Sequence, residues 1–277
     1  MRAVGSASRE ALASARERLS VLAGSTSVDT TVLSDELASV TALLDREVGL
    51  RRTLTDPSQP GEAKAGLVGR LLTGQVGGET VDLISGMVRS RWSAPRDLVD
   101  ALEELADTAE LTSAERDGTL DTVEDELFRF SRIVASSPEL RATLAGGKGS
   151  EENREARALL IRRLLGGRTR PVTERLVLRL VQHPRGRSLE GGLESLSRIA
   201  AERRNRSVAV VTSAVPLDET QRRRLGEALG RLYGRPVQLN LDVDPRVLGG
   251  ISVRIGDEVI QGTIAQRLDE VSRRLGD

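Results

Sequence analysis

Residues 237 to 244 alternate apolar and polar without a fault, with Val237, Leu239, Leu241 and Val243 on one side and Gln238, Asn240, Asp242 and Asp244 on the other. A two-residue period of this kind is a β-strand with one face in a core. It marks an abrupt change of rule. From the start to about residue 204 the apolar residues recur instead at helical spacing, as in Leu67, Leu71 and Leu72 or in Leu176, Leu180 and Val181. The chain therefore holds two kinds of structure in series, a long helical part and a short part built on a sheet.

The short part can be read element by element. Ser207 to Ser213 is β-branched and precedes a turn at Pro216, which predicts a strand. Asp218 and Gln221 have the spacing of a capping box, and Leu225, Ala228, Leu229, Leu232 and Tyr233 behind them form one helical face. After the strand at 237–244 the alternation restarts at Ile251, Val253 and Ile255, and Gly256-Asp257 offers a tight reversal into Glu258-Val259-Ile260. Gly249-Gly250 predicts a position of positive φ or close backbone approach. Thr263 with Gln266 predicts the start of a closing helix carrying Ile264, Leu268, Val271 and Leu275. The expectation is a β-α-β-β-α domain over 205–277.

The helical part resembles itself. At an offset of 90, Asp35-Glu-Leu37 falls on Asp125-Glu-Leu127, and across the twenty positions from Asp35 seven residues are identical. At 93, Gly69-Arg-Leu-Leu72 meets Arg162-Arg-Leu-Leu165; at 91, Leu102-Glu-Glu-Leu105 meets Leu193-Glu-Ser-Leu196. Two helical bundles are expected, one over 1–112 and one over 113–204. Leu12 falls on Leu102 at the offset of 90, so a helix near 96–112 is expected to close the first bundle and open the second. With four aromatic residues in the whole chain, the cores must be aliphatic. The fold class is mainly α with a small α/β C-terminal domain.

Composition narrows the chemistry. The 41 basic and 41 acidic residues balance, which argues against a general electrostatic grip on nucleic acid or on an anionic bilayer. Arg203-Arg204-Asn-Arg206 and Arg222-Arg223-Arg224 are the best case for a nucleic-acid adaptor, yet no aromatic residue is interleaved for stacking. His183 is the single histidine and precedes Pro184 in a turn, so neither a multi-histidine metal site nor a second imidazole is available. No cysteine is present, which removes thiolate metal sites and disulfides. Gly146-Gly-Lys-Gly-Ser lacks the spacing of a phosphate loop and reads as a connector. Glu103-Glu104, Glu124-Asp125-Glu126 and Glu151-Glu152 read as solvent-facing charge. No apolar run approaches the ~20 residues that span a bilayer. Neither a catalytic set, a cofactor nor a metal is expected.

The order of a strand, Leu248-Gly249-Gly250, a second strand, Gly256-Asp257, Val259-Ile-Gln-Gly262 and a closing amphipathic helix resembles the C-terminal signature of the delta subunit (OSCP) family of F-type ATP synthases. The resemblance is specific over about 207–277. It implies a chain that performs no chemistry and serves in the peripheral stalk, tying the F1 head to the membrane sector during proton-driven ATP synthesis. It implies a six-helix domain of about the repeat length found here, so this chain looks like such a subunit with that domain duplicated. The implied partners are N-terminal helices of the α subunits for the helical domain and the C-terminal region of b for the α/β domain. The implied location is the cytoplasmic face of the bacterial membrane, reached only through the complex. The positions carried over are Leu248, Gly249, Gly250, Ile251, Gly256, Asp257, Ile260 and Gly262, with a role in folding the b-binding domain. The family's first helix commonly opens with Tyr-Ala, where this chain has Glu10-Ala11.

Overall fold

In the computed structural model the described residues are 5–25, 27–145, 151–204, 207–233, 237–244, 250–255 and 258–263. They form two compact units, one of Met1–Leu19 with Asp29–Arg203 and one of Ser20–Val28 with Arg204–Asp277. Eleven helices precede the first strand: α1 Ser6–Gly24, α2 Thr30–Arg46, α3 Val48–Thr55, α4 Gly61–Leu72, α5 Gly78–Arg89, α6 Pro95–Arg116, α7 Leu120–Ser136, α8 Pro138–Ala145, α9 Glu151–Leu165, α10 Pro171–Gln182 and α11 Leu189–Arg204.

Local chemistry sets where these helices begin. Asp29 caps α2 by accepting from the amides of Thr31 at 2.9 Å and Val32 at 3.2 Å, satisfying two donors that have no partner inside the helix. Pro95 and Pro171 open α6 and α10, where a missing N–H costs nothing and the fixed φ suits the first turn. Two further caps come from a distance. The Glu36 carboxylate on α2 accepts from the amide of Gly77 at 2.8 Å and from the Thr80 hydroxyl, at the start of α5. The Glu126 carboxylate on α7 accepts from the amide of Arg170 and from the Thr173 hydroxyl, at the start of α10.

The helical unit carries an aliphatic core over its whole length. In its first half Leu33, Leu37 and Leu44 of α2, Leu54 of α3, Leu83 and Ile84 of α5, and Leu98, Leu102 and Leu105 of α6 are buried. A second cluster joins Leu111 and Ala114 of α6 to Val123, Leu127 and Phe130 of α7, Ile161 of α9, Leu176 and Val177 of α10, and Leu193 and Leu196 of α11. Each fully buried aliphatic side chain of this size contributes about 1.5–3 kcal/mol. Between Arg89 and Leu120 stands α6 alone, and it packs against α2, α3, α7 and α10. One helix thus serves two cores. Its contact with α2 is close because α2 offers small side chains there, and the Ser34 hydroxyl donates to the carbonyl of Ala106 at 2.7 Å. Gly192 plays a similar part on α11, where a Cβ would lie 2.2 Å from Leu180 Cδ1.

The other unit continues with β1 Ser207–Ser213, α12 Glu219–Tyr233, β2 Val237–Val243, β3 Gly250–Ile255 and β4 Glu258–Thr263. The sheet order is β2-β1-β3-β4. β1 and β2 are parallel and joined through α12, β3 runs antiparallel to β1, and β4 returns along β3. The expected box at the head of α12 forms: the Asp218 amide donates to Gln221 Oε1 at 2.9 Å, and the Gln221 amide to Asp218 Oδ1 at 2.8 Å. Ala209, Val211, Leu229, Val253 and Ile255 make the core, with Leu225, Tyr233, Leu239, Leu241, Ile251 and Ile260 packed on it. The unit is mainly as expected, with one correction. The segment after the reversal is a full strand reaching Thr263, so the described order is β-α-β-β-β; the expected closing helix falls on 264–277, outside the described residues.

Candidate partner-binding surfaces and the charged seam of the helical unit

Of the signature positions, the structure describes Gly250, Ile251, Ile260 and Gly262, whereas Leu248, Gly249, Gly256 and Asp257 lie outside the described residues. The four that are described meet in one hairpin. Gly250 opens β3 at φ 79, a left-handed conformation that a side chain resists, and pairs with Thr263. Ile251 pairs with Gly262 and with Ser213 of β1, and Ile260 pairs with Val253. Ile251 and Ile260 both rest on the core, so these positions build the sheet. On the opposite edge of the sheet β2 leaves Val243 at 45% exposure.

The strongest polar feature of the helical unit has no counterpart among the sequence expectations. Asp100, Glu103, Asp107 and Glu110 follow one another along α6 at spacings of three and four, which puts four carboxylates on one face. Four arginines from α10 and the turn after it meet them. Arg175 Nε donates to Glu110 Oε1 at 2.7 Å, and Arg179 Nη2 to Glu110 Oε2 at 3.1 Å. Arg187 Nη2 donates to Glu103 Oε1 at 2.5 Å, and Arg185 bridges Glu103 to Asp100 at 2.6 and 2.5 Å. Helix α2 joins the seam through Asp35, which accepts from Arg179 at 2.8 Å, and through Asp45 beside Arg185 at 3.4 Å. Glu110 is fully buried. Burial pushes the Asp107 carboxyl up to about 8; the nearby Glu103 adds to the shift, while Arg179 and Arg187 oppose it. A cleft runs along the seam, floored by Ala38, Ala42, Ala106, Leu176 and Leu180.

The seam corrects two expectations. Glu103 and Glu104 are not solvent-facing charge: their side chains are 17% and 19% exposed, and Glu104 accepts from Arg16 Nε at 2.6 Å. Glu126 is likewise a cap, although Asp125 beside it is exposed and pairs with Arg129 within one helix. The turn expected at 182–187 is present, with exposed His183 as the C-cap residue of α10.

Two of the basic groups considered for nucleic acid are engaged within the protein. Arg203 is 5% exposed and pairs with Glu115 at 2.6 Å, and Arg222 donates to the carbonyl of Leu217 at 2.8 Å. Among the described residues no group of three or more His, Cys, Asp or Glu could hold a metal ion. No helix among them is long and apolar enough to cross a membrane.

Comparison with known proteins bears on the whole chain. The family described as ATP synthase delta (OSCP) subunit matches residues 108–275, from within α6 to beyond β4. "ATP synthase subunit delta" of Streptomyces griseus is 66% identical over 272 residues, covering 98% of this chain and 99% of its own. The subunit of that name from Streptomyces avermitilis is 65% identical over 269 residues, 97% of each chain, and that from Thermobifida fusca is 49% identical over 252 residues, 90% of this chain and 91% of its own.

Proposed function

We infer from one premise, that this chain belongs to the ATP synthase delta (OSCP) subunit family, its place as a non-catalytic stator subunit of an F1Fo ATP synthase. It is a structural component of the peripheral stalk, associated peripherally with a membrane-bound complex, and it transforms no substrate. The observation that carries this is the span of the family match, which takes in the C-terminal part of α6 and the whole of α7 to α11, together with the sheet that follows.

The finer assignments are proposals. The helical part is a duplicated six-helix domain in which α6 is shared, as the recurring caps at Glu36 and Glu126 support. The helical part holds N-terminal helices of the α subunits, since grooves between aliphatic helices are the usual receptors for an amphipathic helix. The α/β unit holds the C-terminal region of b, with the signature positions Leu248 to Gly262 maintaining its fold. Two attachments on one chain gain avidity beyond either alone. The complex places the chain on the cytoplasmic face of the membrane.

Detergent extraction of membranes carrying a tagged copy of the full chain tests the reading. The α subunits and b should copurify with it at one copy of this chain per complex. Membranes lacking the chain should hydrolyse ATP on released heads yet make none from a proton gradient. Normal coupling without the chain, or purification of the chain free of both partners, would overturn the assignment.

A further inference from the structure

We propose that Arg185 is a latch that fastens the turn between α10 and α11 into the joint of α2 and α6, so that the two halves of the helical unit move as one body. Among the described residues it is the sole non-glycine residue with positive φ, at 50, followed by Gly186 at 77. A side chain disfavours that backbone, and it persists where surrounding bonds over-determine it.

Such bonds surround Arg185 on several sides. The Arg185 side chain is 3% exposed. Its Nη1 donates to Glu103 Oε2 at 2.6 Å and to the carbonyl of Val99 at 3.4 Å, its Nη2 to Asp100 Oδ1 at 2.5 Å, and its Nε to Asp45 Oδ1 at 3.4 Å. Its own carbonyl accepts from Arg96. One planar fork therefore joins the last turn of α2 to the first turns of α6, a geometry that a point charge cannot reproduce. Take the guanidinium away and Asp45, Asp100 and Glu103 are left facing one another around an empty place. The inference concerns the helical unit alone and does not depend on which partners it holds.

Hydrogen exchange on the full chain tests it, with Arg185→Gly and Arg185→Lys beside the wild type. Glycine suits the backbone and removes the fork, while lysine keeps the charge and loses the fork. Both variants should exchange at least tenfold faster in the last turn of α2 and the first two turns of α6, with α9 and α12 unchanged. A smaller change in α2 and α6, or equal acceleration in α9 and α12, overturns the latch. Wild-type exchange in Arg185→Lys alone would also overturn it, because a single charge would then suffice.

Discussion

Arg51 and Arg141 hold the same post in different cores: each turns its guanidinium back six residues, to the carbonyl of Asp45 at 3.1 Å and of Ala135 at 2.6 Å, and so closes the end of the helix before it. Helix ends leave their last carbonyls without internal partners, and an arginine here supplies a donor. The hydroxyls of Thr53 and Thr143 repeat the correspondence, donating to the carbonyls of Gly49 at 3.1 Å and Glu139 at 2.8 Å. The same single bonds thus recur at an offset of 90 residues.

The two remote caps should therefore cost the same to remove. Glu36→Ala and Glu126→Ala each strip a helix start of its acceptor, and each should lower stability by about 1 kcal/mol, within the range seen for cap removal. The sites share no partner, so the double variant should lose the sum to within about 0.5 kcal/mol. Thermal or urea unfolding of the four proteins measures this; strong non-additivity would show that the cores are coupled more tightly than their bonding implies.

Glu110 is a different case. It is fully buried between Arg175 and Arg179. Truncation to alanine leaves two guanidiniums facing each other with their common acceptor gone, and breaking a buried pair in this way costs about 3–5 kcal/mol. Glu110→Ala should show that loss in urea unfolding, whereas Asp125→Ala, which breaks an exposed pair within α7, should stay within about 0.5 kcal/mol of the parent.

Asp107 gives the seam a pH signature. Its folded-state pKa is raised to about 8, chiefly by burial, so the folded chain keeps a proton that the unfolded chain gives up near pH 4. Between those values the folded state binds more protons, and its stability falls as pH rises, levelling off above the folded pKa. Asp107→Asn removes this dependence. The advantage of the variant over the parent should grow from pH 5 to pH 8 and then hold constant; a difference independent of pH would show that Asp107 is charged in the fold.

Gly250 begins β3 with φ near 79. Valine there must adopt a left-handed backbone, at a cost of about 1–2 kcal/mol. Gly250→Val should weaken the sheet and, on the assignment above, binding of b, while the helical unit keeps its melting transition. Circular dichroism melts and a b pull-down with the full chain read the two effects separately, and undiminished b binding would refute the role given to this position.

Much of the fold was legible residue by residue. The capping box at Asp218 and Gln221 and the positive φ at Gly250 each follow from short-range rules that need no tertiary knowledge. Leu102 aligns both with Leu12 and with Leu193, and a single helix, α6, lies between α5 and α7, which supports the proposed sharing. The seam is hidden from a sequence pattern for a physical reason. Glu103 sits on a face that would meet water in an isolated helix, and its arginines arrive more than 80 residues later from a turn. The signal lay in the register, since Asp100, Glu103, Asp107 and Glu110 share one face while Arg175 and Arg179 share one turn of another helix. The capping-box spacing of Thr263 and Gln266 points to a helix start at Thr263, whereas pairing with Gly250, Ile251 and Ser252 carries β4 through Gln261 and Gly262 to Thr263 itself.

Helix α6 runs unbroken from Leu98, Leu102 and Leu105 of one core to Leu111 and Ala114 of the other. A single residue inserted between Leu105 and Leu111 would turn everything downstream by about 100° and advance it about 1.5 Å. The acidic row would then be split, with Asp100 and Glu103 left on the upstream face while Glu110 turns with the downstream core and Arg185 and Arg187 lose their acceptors. Length in this stretch is consequently quantised: it tolerates substitution, but insertion or deletion only in multiples near seven or eleven residues that bring the helix back into phase.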